Sequence, residues 1–250
     1  MSGKVVIAGL GPGAENLVTP EVSAALAEAT DIVGYIPYVE RVAARPGLTL
    51  HPSDNRVEID RSRHALEMAV EGKNVVVVSS GDPGVFAMAA AVFEAVEDGP
   101  EEWRELDIQV LPGITAMLAA SARAGAPLGH DFCTINLSDN LKPWELIEKR
   151  LRLAAQADFA MAFYNPRSKS RPEGFEKTLK ILKEECQDSR PVIFARNVSR
   201  HDETIKAVPL DQTTPDMADM RTMVIVGSSQ TRIIERCNAA PLIYTPRSVS

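Results

Sequence analysis

The residues best placed to do chemistry lie in three glycine-rich turns, each directly behind an apolar run. Gly9-Leu10-Gly11-Pro12-Gly13-Ala14 follows Val5–Ala8, and Ser79-Ser80-Gly81-Asp82-Pro83-Gly84-Val85-Phe86 follows Val75-Val76-Val77-Val78. Leu111-Pro112-Gly113-Ile114-Thr115-Ala116 closes the run Ile108–Leu111. Glycine accepts left-handed backbone and lets another backbone or a ligand come close. Asp82 has the side chain to bond its own turn or to accept from a ligand. The first turn formally satisfies GxGxxG/A, in which a helix N-terminus receives a pyrophosphate. Pro12, however, removes an N–H where an anion wants a donor. Asp31 opens the next apolar run instead of ending it, so no acid stands at the ribose position. No Walker lysine follows any of the turns, which leaves nucleoside-triphosphate chemistry unsupported. Singly, each turn is a plausible helix start. Together they suit one crevice, because ligands of parallel α/β sheets collect beyond the carboxyl ends of strands.

The elements that must hold these turns follow from apolar runs alternating with helical patterns. Val5–Ala8, Asp31–Val33, Val75–Ser79 and Ile108–Leu111 read as buried strands in the first half. Phe132–Asn136, Phe159–Tyr164, Val192–Arg196 and Met223–Val226 read so in the second. One helix opens at Thr19-Pro20-Glu21, with a capping hydroxyl, a proline at the first helical position and an acid in the first turn. Further helices are expected near Arg61–Glu71, Val85–Glu97, Ala116–Ala124, Trp144–Ala155 and Phe175–Glu185. This alternation predicts an α/β fold with largely parallel central sheets. The small-residue and proline segment Ala124-Gly125-Ala126-Pro127-Leu128-Gly129 divides the chain into 1–124 and 125–250, each of ordinary domain size. Tyr35–Asn55 shows little periodicity and reads as a mobile or substrate-facing loop. The tail Ala240–Ser250 is expected to fray.

Composition narrows the functional classes. The net charge of −7 and few aromatic residues, 5% of the 250, argue against a nucleic-acid surface. No apolar run approaches the roughly 20 residues of a membrane-spanning helix. The N-terminal apolar run ends in Gly-Pro-Gly without a cleavage pattern, and reads as a buried first strand and not as a signal peptide. Cys133, Cys186 and Cys237 are scattered and odd in number, which fits structural thiols in a reducing cytoplasm better than a disulfide framework or a zinc site. His201-Asp202-Glu203 has no recognised metal spacing, so no metal is expected.

The three turns, in this order and at these separations, resemble the tetrapyrrole methylases, and the likeness runs over essentially the whole chain. Gly129-His130-Asp131-Phe132-Cys133-Thr134-Ile135-Asn136-Leu137-Ser138-Asp139 and Phe163-Tyr164-Asn165-Pro166-Arg167-Ser168 are similar to the branch that methylates C17 of precorrin-3B. The resemblance implies two αβα domains of the class III methyltransferase type, a ligand cleft between them, a cytoplasmic homodimer, and S-adenosylmethionine as methyl donor, leaving S-adenosylhomocysteine. It implies C17 methylation with contraction of the macrocycle to precorrin-4, in cobalamin biosynthesis. Carried over by motif, the cofactor residues are Pro12, then Ser80, Gly81, Asp82 and Val85, then Thr115 and Ala116, with Asn165, Asn197 and Val198 in the second half. Asn197-Val198 stands where relatives often have Asn-Gly, so the contact of Val198 is expected through backbone atoms only.

Methyl transfer from a sulfonium needs alignment above all, an effect reaching about 7–11 kcal/mol. A carboxylate pressed on the sulfur stabilises the ground state instead. Ring contraction implies proton transfers. His130, in the junction expected to border the cleft, is the candidate acid or base, with a purely structural histidine as the alternative; His51, His64 and His201 rank behind it. Precorrins carry many carboxylates, for which arginine's planar fork is suited. Arg167, beside Asn165, is the candidate substrate ligand, ahead of Arg41, Arg45, Arg56, Arg61, Arg63 and Arg171. The rival readings are a cobalt-precorrin-3 or other precorrin methyltransferase, an NAD-dependent oxidoreductase built on GxGxxA, and a non-catalytic regulatory module.

Overall fold

The computed structural model describes residues 3–54 and 57–248. The chain forms two compact units, Met1–Thr115 and Ala116–Ser250.

The first unit runs β1 (Lys4–Gly9), α1 (Pro20–Glu28), β2 (Asp31–Tyr35), α2 (Ile36–Val39), β3 (Thr49–Ser53), α3 (Glu58–Val70), β4 (Asn74–Ser79), α4 (Met88–Asp98) and β5 (Asp107–Leu111). The strands form one sheet in the order β3-β2-β4-β1-β5, with every pair parallel. Such strands are covered on both faces, which is why they read as unbroken valine and isoleucine runs. Val5, Ile7, Val75 and Val77 pack with Leu66 of α3 and Val92 of α4. Their neighbours Val6, Ala8, Val76 and Val78 pack with Val22 of α1 and Val39 of α2. The period-2 alternation of strands thus makes two cores from one run. α1 starts as its cap predicts: the Thr19 hydroxyl accepts from Val22 N at 3.2 Å, with Pro20 next.

The second unit runs α5 (Ala116–Ala124), β6 (Gly125–Ala126), β7 (Phe132–Asn136), α6 (Trp144–Gln156), β8 (Ala160–Tyr164), α7 (Gly174–Glu185), β9 (Pro191–Arg196), β10 (Thr204–Pro209), β11 (Thr222–Val226), β12 (Arg232–Ile234) and β13 (Leu242–Tyr244). Its main sheet has the order β10-β9-β11-β8-β7. Met161, Phe163, Phe194 and Val224 of its strands pack with Ile147 and Leu151 of α6 and Phe175 and Leu182 of α7. α5 touches β11 and β10.

Several expectations change here. The second sheet is mixed and not largely parallel: only β7 and β8 pair in parallel, while β11 and β10 run against their neighbours. The stretch between β9 and β10 is too short for the dozen or more residues of a parallel crossover. The supposed loop Tyr35–Asn55 contains α2 and β3, although Asn55 lies outside the described residues. β3 was hidden because it is an edge strand whose Pro52 and exposed residues break the alternation. The supposed frayed tail holds β13, where Ile243 is 2% exposed and the strand pairs with β12 and β6. The sequence border at 124/125 falls at the end of α5, whereas the units divide at Thr115/Ala116, so α5 belongs with the sheet it touches.

Candidate functional site

The sheet order decides what the three turns make. β4, β1 and β5 are consecutive neighbours, and they end nearly level, with Gly9 opposite Ser79 and Ala8 opposite Leu111. All three turns therefore leave one edge of one sheet, side by side, where parallel sheets bind ligands.

Their glycines serve contact between turns. Gly11 and Gly81, both left-handed at φ +66° and +64°, exchange backbone hydrogen bonds of 3.2 and 2.9 Å. A Cβ on Gly9 would stand 2.6 Å from the Gly81 carbonyl oxygen and 2.7 Å from Gly113 N, and one on Gly113 would stand 2.1 Å from the same oxygen. Three backbones thus meet at a point where no side chain fits. Asp82 completes the joint: Oδ1 accepts from Gly84 N at 2.8 Å and Oδ2 from Gly113 N at 3.0 Å. The carboxylate at this edge is consequently occupied by two amides. Pro12 and Gly81 are buried, Ser80, Asp82 and Val85 are half-buried, and Thr115 is 4% exposed.

Arg41 is a part of this architecture that its sequence context did not reveal. Its Nη2 donates to the carbonyls of Leu10 at 2.5 Å and Gly13 at 3.3 Å, and Nη1 to that of Gly11 at 3.4 Å. One guanidinium satisfies the outer carbonyls of the first turn. Arg45 does the same for the end of α1, donating to Leu26, Ala27 and Ala29. Arg61 is buried and donates to Ser53 Oγ and the Asp54 carbonyl. These three arginines are committed to the fold, Arg63 is exposed, and Arg56 lies outside the described residues.

In the second unit, Asn165 follows β8 with φ +52°, and Asn197 follows β9 with φ +49°, a conformation asparagine accepts better than most residues. β8 and β9 each pair antiparallel with β11, so both asparagines stand at one edge of this sheet. Asn165 Nδ2 donates to Asn136 Oδ1 at 3.1 Å, and the same oxygen accepts from Ser138 N. Met117 N, in the first turn of α5 beside Ala116, donates to the Tyr164 hydroxyl at 3.3 Å. Asn197 Nδ2 donates to Asp202 at 2.6 Å, and Val198 is buried. Asn136 and Tyr164 lay within the motifs quoted above, but nothing in their spacing marked them as anchors.

His130 does not join this group. It precedes β7, while Asn136 ends it, so about 13 Å of strand separates the histidine's edge from that of the asparagines. Its ring Nδ1 lies 3.8 Å from Asp131. Arg167 stands near Asp216, whose carboxyl is held low first by the Thr214 hydroxyl and, further down, by the Arg167 charge. The NAD reading fails on Asp31. That residue is buried at the amino end of β2, away from the turns, and accepts from Thr30 and bonds His51 Nε2 at 2.8 Å. Among the described residues no group of three or more His, Cys, Asp or Glu is placed to hold a metal, and no helix is long and apolar enough to cross a membrane.

A parallel sheet with glycine-locked turns at its carboxyl edge, followed by a mixed α/β unit, is the architecture of a methylase family. Residues 4–214 match the family of Tetrapyrrole (Corrin/Porphyrin) Methylases, and the chain belongs to it. It is 51% identical over 247 residues to the Precorrin-3B C(17)-methyltransferase of Sinorhizobium sp, covering 99% of this chain and 97% of that one. It is 44% identical to Cobalamin biosynthesis protein CobIJ of Mycobacterium tuberculosis; the match takes in 99% of this chain and 48% of that longer protein. The crystal structure of the methyltransferase CobJ superimposes with a TM-score of 0.93 at 66% identity, over 98% of this chain and 100% of that one.

Proposed function

We propose that this chain transfers a methyl group from S-adenosylmethionine to C17 of precorrin-3B, with contraction of the macrocycle to precorrin-4, in cobalamin biosynthesis. The observation that carries the reading is end-to-end identity of 51% with a precorrin-3B C(17)-methyltransferase.

The carboxyl edge of the first sheet fits the donor. S-adenosylmethionine supplies an electrophilic methyl group on a sulfonium cation. Asp82 has each oxygen engaged by an amide, of Gly84 and of Gly113, which fixes the carboxylate within the turns. The interlocked turns offer a rigid backbone wall, which suits alignment. Pro12, Ser80, Gly81, Val85 and Thr115 are the first unit's contacts in this reading, with Asp82 holding the wall together. Ala116, Asn165, Asn197 and Val198 are assigned to the cofactor by family likeness, and Arg167 to the substrate. His130, before the amino end of β7, is not assigned the proton transfer in this reading. The protein works as a cytoplasmic homodimer in this reading.

The test is incubation with isotopically labelled S-adenosylmethionine and, in parallel, precorrin-3B and its cobalt-containing counterpart. Label at C17 of a contracted product from precorrin-3B is the expected result. Faster labelling of the cobalt compound redirects the assignment within the family. Calorimetric binding of NAD with none of S-adenosylmethionine overturns it.

A further inference from the structure

The loops that leave β7 and β8 border an open pocket of about 310 Å3, beside the edge that carries Asn136 and Asn165. Leu137 and Trp144 give it apolar walls, and Arg171, Lys177, Asp139 and Glu173 give it charge. Arg171 is its most unusual member. The side chain is 16% exposed, and its Nε is buried with no hydrogen-bond partner. The nearby Asp139 Oδ1 stands 3.8 Å away, within ion-pair range but too far for a hydrogen bond. A buried charged donor left unmatched is costly, and such sites in native proteins call for a missing acceptor. The backbone holds the residue in place: Ser168 and Arg171 exchange amide-to-carbonyl bonds of 3.4 and 3.2 Å across a tight turn.

The charges lining the cavity balance, Arg171 and Lys177 against Asp139 and Glu173, and Lys142 lies within reach of Arg171 and Asp139 outside it. Burial pushes the Lys142 ammonium below its usual range, and the neighbouring charges of Arg150 and Arg171 push the same way, against Asp139. Lys142 thus feels two cations, Arg150 and Arg171, against the single carboxylate of Asp139. The first turn of α7, at Gly174, also opens on the cavity, where a helix N-terminus adds positive potential. Glu173 opposes this but lies 3.7 Å from Lys177 Nζ. Lys177 in turn sits 5.5 Å from the Trp144 ring centroid.

We infer that this cavity receives one carboxylate-bearing arm of the tetrapyrrole, with the Arg171 guanidinium taking the carboxylate in place of Asp139 and Leu137 and Trp144 flanking the methylenes. The inference rests on the proposed function for the identity of the substrate. It moves the emphasis from Arg167, whose charge acts on Asp216, to Arg171.

The probe is uroporphyrin, a polycarboxylate macrocycle, beside its fully esterified form, titrated by fluorescence against the full chain. Wild type is expected to bind the acid and not the ester. Arg171→Gln is expected to lose about tenfold or more in affinity for the acid, the scale of one charge-assisted hydrogen bond. Arg171→Lys should fall between the two. Calorimetric affinity for S-adenosylmethionine and the melting temperature are expected to stay unchanged, which separates lost recognition from lost folding. Asp139→Asn removes the competing carboxylate and should tighten binding even if the arginine variants prove unstable. Equal binding of acid and ester, no binding by wild type, an Arg171→Gln affinity within twofold of wild type, or weaker binding by Asp139→Asn each overturns the subsite. A wild type that loses uroporphyrin affinity on Arg171→Gln yet fails to methylate precorrin-3B supports the subsite while removing the proposed substrate.

Discussion

The carboxylate of Asp82 accepts the amide hydrogen of Gly113, 31 residues further along the chain, and so ties the turn after β4 to the turn after β5. Its other oxygen holds Gly84 of its own turn. Asp82→Ala leaves both amides without their acceptor, an expected loss of about 1–3 kcal/mol in urea unfolding. S-adenosylmethionine affinity, read by calorimetry, should drop about tenfold. Asp82→Asn, which keeps one acceptor oxygen, should lose less on both measures. Affinity unmoved in Asp82→Ala would show that the tie does not organise the site.

Gly113→Ala tests the meeting of backbones. A new Cβ 2.1 Å from the Gly81 carbonyl oxygen forces the two turns apart, and overpacking of this kind costs about 1–3 kcal/mol. Gly84→Ala is the control, since its Cβ meets only Asp82 Oδ1, at 3.2 Å. Equal melting temperatures for the two variants would contradict the crowding at Gly113.

Arg41→Ala removes the donor shared by the Leu10, Gly11 and Gly13 carbonyls. Charged hydrogen bonds contribute about 1.5–3 kcal/mol, so the first unit should melt earlier and bind S-adenosylmethionine more weakly. Arg41→Lys keeps the charge but not the fork, and should recover only part of the loss. Full recovery by lysine would mean that charge alone matters here.

His130→Ala is expected to leave turnover within about twofold of wild type, because the residue stands at the amino edge of β7. Steady-state rates on the precorrin decide this. A fall of tenfold or more with intact cofactor binding would return the histidine to the chemistry.

Asp31 gives a pH signature. Burial raises its carboxyl pKa, but the His51 and Thr30 hydrogen bonds and the charges of Lys73 and His51 outweigh that and leave it below the ordinary value. A depressed carboxyl stabilises the fold above its unfolded pKa, near about 3.9, and loses that contribution as pH falls through the folded value. Asp31→Asn should therefore be less stable than wild type at neutral pH, and the gap should close on acidification below about pH 4. Denaturant midpoints across that range test it; a gap that widens on acidification would be the wrong sign.

Much of the positional framework was readable without coordinates. Val5–Ala8 and Val75–Ser79 are unbroken apolar runs because parallel strands are covered on both sides. Thr19-Pro20-Glu21 announces α1 through local capping chemistry. The glycine turns and their order carried the family, which end-to-end similarity supports. β3 escaped because it is a short edge strand interrupted by Pro52, and β13, the middle strand of its small sheet, because three residues are too few to show a period. β10 was not read as a strand, and β11 reversed the expected parallel arrangement, since a single strand's pattern does not say which way its neighbour runs.

The chain's order of residues determined what each turn is able to do: where backbone bends left-handed, where a carboxylate or guanidinium is on hand, where a helix begins. These are local properties, set by side-chain shape and hydrogen-bonding groups within a few residues. Only the folded sheet decided which turns meet. The order β4-β1-β5 brings Gly9, Gly81 and Gly113 together, beside the carbonyls that Arg41 holds, and in the second sheet the parallel pairing of β7 with β8 sets His130 at the far edge from Asn165. Such pairings join residues far apart in the chain through long-range packing, and no local pattern encodes them.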